Sequence, residues 1–170
     1  MDFLNLDFAQ YSGKYYIVAA DRCSGFVMAV VTKDQSTSAA LQFLQHIGSV
    51  YGYLTKVQSD NGSTFREKFT EEMKKFDILH KTSSPYMPSS NGIVESAVQT
   101  VKSDLQKLGN LQQPKLQALL YRINNTPRVI PGALSSFVRF FGRTGNIPDL
   151  PAIKHNITPV EIRLHKVCHE

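Results

Sequence analysis

The sequence predicts an α/β domain built on one five-stranded mixed sheet flanked by helices. Three observations predict it. Residues 3–9 alternate apolar and polar side chains, and two β-rich runs, 15–20 and 26–32, follow across short turns. Two more strand-like runs, 54–59 and 78–81, are set off by stretches of helical periodicity. After them come two apolar stripes at three- and four-residue spacing, 94–108 and 116–123.

In the first strand Leu4, Leu6 and Phe8 face one way, and Asn5 and Asp7 the other. Ser12 and Gly13 read as a turn. Tyr15 to Ala20 is continuously apolar, as in a strand buried on both faces. A turn over 21–25 leads into the third strand and completes an antiparallel meander. Ser36 or Ser38 caps the next helix, whose apolar face is Ala40, Phe43, Leu44 and Ile47, and Gly52 ends it. The strand at 54–59 then joins the sheet in parallel, after a strand–helix–strand crossover.

Thr64 and Glu67 have the spacing of a capping box, with Phe65, Phe69, Met73 and Phe76 as the buried stripe behind it. Residues 78–81 form a fifth, short strand. The stretch 83–92 holds Pro85, Pro88 and Gly92 and breaks any helix; it is expected to be mobile when nothing is bound, with Gly92 as one hinge. The helix from 92 to about 109 turns Val94, Val98, Val101, Leu105 and Leu108 inward. Glu95, Gln99, Lys102 and Gln106 lie on a neighbouring polar face. Pro114 opens the following helix, Leu116, Leu119, Leu120 and Ile123 form its stripe, and Pro127 bounds it. Residues 133–141 form another short helix. From Gly145 onward Pro148, Pro151 and Pro159 signal a tail, which divides the chain into a core, 1–147, and a tail, 148–170.

At 170 residues the chain is long enough for one domain with a full core. No apolar run approaches the roughly 20 residues that span a bilayer, so no membrane partner is expected. The start lacks the basic segment and apolar block of a signal peptide. Cys23 and Cys168, far apart, read as reduced thiols of an intracellular protein. A formal charge of +5 is compatible with a nucleic-acid partner and equally with an ordinary mildly basic protein. There is no Gly-x-Ser-x-Gly elbow, no Gly-rich phosphate loop, and no cysteine with an obvious histidine partner. His155, His165, Cys168 and His169 match no strong zinc spacing. Asp2, Asp21, Asp77 and Asp104 read as solvated turn or polar-face residues.

Three other carboxylates stand apart. Asp7 lies on the first strand, Asp60 follows the fourth, and Glu95 comes early in the long polar-faced helix. Oxygen ligands converging from a strand, a strand tip and a helix start suit hard divalent cations. Taken alone, the polar row of that helix is better explained by a plain amphipathic helix with a solvated side.

Asp7, Ser59-Asp60-Asn61-Gly62, and Pro88-x-x-x-Gly92-x-x-Glu95-Ser96 together resemble the Asp-Asp-Glu signature of retroviral and gypsy-type retrotransposon integrases. The resemblance covers roughly residues 3–150 and takes in Gly13–Val18 before Asp21, Asn125-Thr126-Pro127, and Phe141-Gly142-Arg143. Two features depart from it. Residues 61–94 separate the second and third carboxylates, one fewer than the family usually places there. Leu134-Ser135-Ser136-Phe137 replaces the usual Ser-Pro before the Phe-Gly-Arg element.

The resemblance implies an RNase H-like fold, in keeping with the order of elements, and a catalytic core with Asp7, Asp60 and Glu95 as catalytic and metal-binding residues. It implies two Mg²⁺ (or Mn²⁺) ions, Asp7 bridging them, for 3′-end processing and strand transfer of retroelement DNA into target DNA. Asn61, Tyr86, Asn91, Gln99 and Lys102 are the expected DNA-binding residues, and Lys102→Ala is expected to weaken DNA binding while leaving metal binding intact. A homodimer is expected, with the helices near 36–50 and 114–126 at its interface, and a higher oligomer in the full-length complex. Such an enzyme acts in the nucleus after residence in a cytoplasmic virus-like particle. The His-His-Cys-Cys zinc module of full-length integrases does not occur in these residues. Two alternatives remain open: a related RNase H-fold nuclease or transposase, and a domesticated, non-catalytic module that binds DNA or protein.

Overall fold

The computed structural model describes residues 3–52, 54–82, 92–108, 113–127 and 134–143, with the side chains of 92–95, 97, 108 and 113 outside that description. The expected boundary at 147/148, the loop expected to move, and the His/Cys group near the end all fall outside these residues. The elements run β1 (Phe3–Tyr11), β2 (Lys14–Asp21), β3 (Val27–Thr32), α1 (Thr37–Tyr51), β4 (Lys56–Ser59), a 3-10 turn (Ser63–Phe65), α2 (Glu67–Lys75), β5 (Leu79–Thr82), α3 (Gly92–Leu108), α4 (Gln113–Asn125) and α5 (Ser136–Phe141). Among the described residues no helix is long and apolar enough to cross a membrane.

The strands are ordered β3-β2-β1-β4-β5, which puts β1 at the centre. The first three are antiparallel. Their first turn is tight: Ser12 and Gly13 both take positive φ, 49° and 73°, the backbone hand that matches the twist of a hairpin. β4 adds to β1 in parallel and β5 to β4 in parallel. This is the five-stranded mixed sheet of an RNase H-like domain.

Period-two alternation in β1 sorts the core into two layers. Leu4 and Leu6 pack with Ile17, Ala19 and Met28 of the sheet against Ala40, Phe43, Leu44 and Ile47 of α1 and Phe69 and Met73 of α2. Ala9, Tyr16, Val18 and Ala20, pointing the other way, pack against Val98, Val101 and Leu105 of α3 and Leu116, Leu119 and Leu120 of α4. Each large side chain so buried contributes about 1.5–3 kcal/mol. Ser36 caps α1, accepting from the Ala39 N–H at 3.1 Å, and Gly52 closes it with φ 95°.

The Phe141-Gly142-Arg143 element closes α5: Gly142 takes the left-handed C-cap conformation at φ 67°, and its N–H donates to the Val138 carbonyl. Ser135, in the altered stretch before it, is the N-cap, accepting from the Val138 N–H. Phe137 and Phe140 then pack on Phe26, and Arg139 donates to the Cys23 carbonyl at 2.7 Å.

Three local expectations are corrected. The spacing of Thr64 and Glu67 does not make a capping box: α2 starts after Arg66 with no side-chain cap. Thr64 instead donates to the Gln35 carbonyl at 2.7 Å, and its own carbonyl accepts from Thr37, so a tertiary tie to the start of α1 takes both groups. Phe76 lies at the C-cap of α2 and is 42% exposed, because the helix has ended before the stripe reaches it. Asp21 is not a solvated turn residue: only 6% exposed, it accepts from the Ser24 N–H at 2.7 Å and the Ser24 hydroxyl at 2.6 Å, holding the turn between β2 and β3.

Candidate active site

Asp7 projects from the centre of the sheet. Its alternation partners Asn5 and Ala9 place it on the layer opposite Leu4 and Leu6, facing the side on which α3 packs across β1 and β2. The β1–β4 ladder ends at Leu6 and Ser59, so Asp7 and Asp60 occupy the next step on adjacent parallel strands. Neighbouring strands run about 5 Å apart, which starts both carboxylates from adjoining backbone positions. Asp60 is exposed just past its strand, and its Oδ1 accepts from the Gly62 N–H at 3.1 Å. A Cβ on Gly62 would meet that same oxygen at 3.0 Å, so a side chain there would push the exposed carboxylate aside by a few tenths of an ångström.

Lys102 of α3 donates to the Asp7 carboxylate across the interior, with side chains 19% and 32% exposed. The ion pair shows which face of α3 meets β1. Glu95 lies seven residues before Lys102 in α3, almost two complete turns; its side chain is outside the described residues. Gln99, on the intervening turn, is exposed, as is Asn61 in the bend after Asp60. Tyr86 and Asn91 are outside the described residues. The structure thus pairs Lys102 with Asp7 and sets Asp7 and Asp60 at adjoining backbone positions.

The donor set fits a hard divalent cation. Asp7 and Asp60 supply carboxylate oxygens, and Asn5, two residues before Asp7 on the same face, has a buried side-chain oxygen without a hydrogen-bond donor. Asp7 already attracts one cation, the Lys102 ammonium. Among the described residues no three His, Cys, Asp or Glu side chains gather into a metal-binding group.

Two residues not foreseen tie neighbouring elements together. His80 on β5 bridges Thr70 of α2 and Ser59 of β4 through its two ring nitrogens, at 2.8 and 2.9 Å. Asn124 of α4 clasps edge strand β3 at Val27, accepting from its N–H at 2.8 Å and donating to its carbonyl at 2.7 Å. The only signals in the sequence were a histidine in an otherwise polar short strand and an asparagine inside a helix, where side-chain amides are disfavoured unless they find a partner.

Residues 1–88, more than half the chain, match the family model described as the integrase core domain. The chain belongs to that family. The matched segment includes Asp7 and Asp60 and stops before Glu95. Among solved structures, the catalytic core domain of BIV integrase superposes with a TM-score of 0.66 at 26% identity, covering 82% of this chain and 93% of that one. An uncharacterized protein of Caenorhabditis elegans is 30% identical over 145 residues, 82% of this chain. The Gag-Pol polyprotein of feline leukemia virus is 30% identical over 149 residues, 84% of this chain. The chain spans 11% and 9% of the lengths of those two proteins. Its fold and family are those of a retroviral-type integrase catalytic core.

Proposed function

We propose that this integrase core performs metal-dependent 3′-end processing and strand transfer of retroelement DNA, with Asp7, Asp60 and Glu95 as its catalytic carboxylates. Membership in the family supports an integrase-type, polynucleotidyl-transferase function in general. The observation that carries the finer reading is the β1–β4 register, which ends at Leu6 and Ser59 and so leaves Asp7 and Asp60 at the next position of two adjacent parallel chain segments, with a cation from α3 drawn onto Asp7.

The residues divide the work. Asp7, in the middle of a strand paired to β2 along its length, is held rigidly. Asp60 sits at a strand tip open to DNA, its carboxylate oriented by the Gly62 N–H. Glu95 would complete the set from α3. Mg²⁺ or Mn²⁺ held by these carboxylates would activate the attacking oxygen and stabilise the leaving one. Gln99 and Asn61, both exposed, would contact DNA phosphates, Lys102 would do so once released from Asp7, and Tyr86 and Asn91 would contact the DNA ends. Two copies would pair through the outer faces of α1 and α4. These helices flank edge strand β3 and a cleft of about 290 Å³ lined by Val30, His46, Gln117 and Tyr121 among others.

The test is a labelled DNA duplex with Mn²⁺ or Mg²⁺, assayed separately for cleavage and for joining to a second duplex. Asp7→Asn, Asp60→Asn and Glu95→Gln should each fold, judged by circular dichroism, and lose both reactions by orders of magnitude. Full activity in Glu95→Gln would remove the three-carboxylate reading. Cleavage without joining in the parent chain would make it a nuclease.

A further inference from the structure

We propose that His80 is a positioning residue for Asp60, acting through the Ser59 hydroxyl; the inference rests on Asp60 being a metal-binding carboxylate. β4 is four residues long, and its outer neighbour β5 is equally short and mostly exposed, so little sheet supports the point where Asp60 leaves the strand. A hydrogen-bonded chain supplies that support. The Ser59 hydroxyl donates to the Asp60 carbonyl at 2.9 Å, and the same oxygen lies 2.9 Å from His80 Nε2.

The direction of the chain follows from proton counting. Ser59 has one hydroxyl proton and directs it at Asp60, so Nε2 must carry the proton shared with Ser59. Nδ1 is then the acceptor, and Thr70 directs its hydroxyl proton to it across 2.8 Å in preference to the Arg66 carbonyl at 3.4 Å. The ring is wedged edge-on against Phe69, centroids 4.8 Å apart, which fixes its plane. Burial lowers the His80 pKa below its ordinary value, in keeping with this neutral tautomer. Asp60 is therefore held twice: its carbonyl by the Ser59 hydroxyl, backed by His80 and Thr70 of α2, and its carboxylate by the Gly62 N–H. Groups that orient a ligand in this way typically change metal affinity about 10- to 100-fold when removed.

The experiment titrates the chain with Mn²⁺ alone, follows free Mn²⁺ by its paramagnetic resonance, and records a metal-free melting curve for each variant. Asp60→Asn is the reference. His80→Phe keeps the ring against Phe69 and removes both nitrogens. His80→Gln retains an amide N–H in place of Nε2–H, and Ser59→Ala removes the link. His80→Phe and Ser59→Ala should each weaken Mn²⁺ binding about tenfold, the double variant no further than either alone, and His80→Gln should bind within about twofold of the parent. A lowered melting temperature with unchanged Mn²⁺ affinity in His80→Phe and Ser59→Ala would make His80 a packing residue only and overturn the inference. Unchanged affinity in Asp60→Asn would overturn the metal-site reading itself.

Discussion

Lys102→Met removes the ammonium bound to Asp7 and keeps most of the apolar stem that α3 packs against the sheet. A divalent cation approaching Asp7 must displace this ammonium and then remain near its charge. Exposed ion pairs contribute about 0.2–1 kcal/mol, and losing one partner of a fully buried pair costs about 3–5 kcal/mol. At 19% and 32% exposure the pair lies nearer the first limit, about 1 kcal/mol. A single and a double positive charge roughly 6 Å apart repel by a further ~1 kcal/mol at a water-like dielectric. Removing the ammonium should therefore tighten Mn²⁺ binding by about 1–2 kcal/mol, roughly five- to thirtyfold. This revises the expectation that metal binding is indifferent to Lys102, because the lysine is engaged by a proposed metal ligand rather than by solvent.

Calorimetric titration with Mn²⁺ reads the affinity. The metal-free Lys102→Met chain should melt a few degrees below the parent, and saturating metal should raise its melting temperature by more than it raises the parent's. DNA binding should weaken, with the slope of log affinity against log salt reduced by about one. Lys102→Arg, which keeps the charge, should bind metal like the parent. Equal or weaker Mn²⁺ affinity in Lys102→Met would refute the competition between lysine and metal.

Burial lowers the His80 pKa, so the folded chain resists protonating it; the stabilisation this provides is present above about pH 6.5 and is lost as pH falls through the depressed folded value. The parent's urea midpoint should fall more steeply below pH 6.5 than that of His80→Gln, and parallel curves would count against the assignment. Asn124→Ala strands the Val27 N–H and carbonyl together, which should cost about 2–4 kcal/mol in urea unfolding; a loss under about 0.5 kcal/mol would mean water replaces the clasp. For the proposed dimer, light scattering should show twice the monomer mass at high micromolar concentration, and Val50→Glu, charging an exposed apolar position near the end of α1, should return it to the monomer; a monomeric parent would place the interface elsewhere or nowhere.

Periodicity along the chain determined the order and direction of the elements. Leu4 and Leu6 alternate with Asn5 and Asp7, and that alone assigns Asp7 to the face opposite the leucines; that α3 covers this face was decided by packing. Val98, Val101 and Leu105 fall on one helical stripe, so the polar row bearing Glu95 and Lys102 had to lie beside it. Both are near-neighbour properties, set by the strand and helix repeats. What lies between elements was not legible. The capping box at Thr64 lost to a tertiary tie with α1, Asp21 was drawn inside by Ser24 and the turn around it, and Lys102 found Asp7 rather than open solvent. Asp7 and Lys102 are 95 residues apart, and Asn124 and Val27 are 97 apart. Such pairings leave no local trace in composition or spacing. They exist only once the sheet has stacked its strands and a helix has packed across them, because short-range forces between side chains act over a few ångströms of space, whatever their separation along the chain.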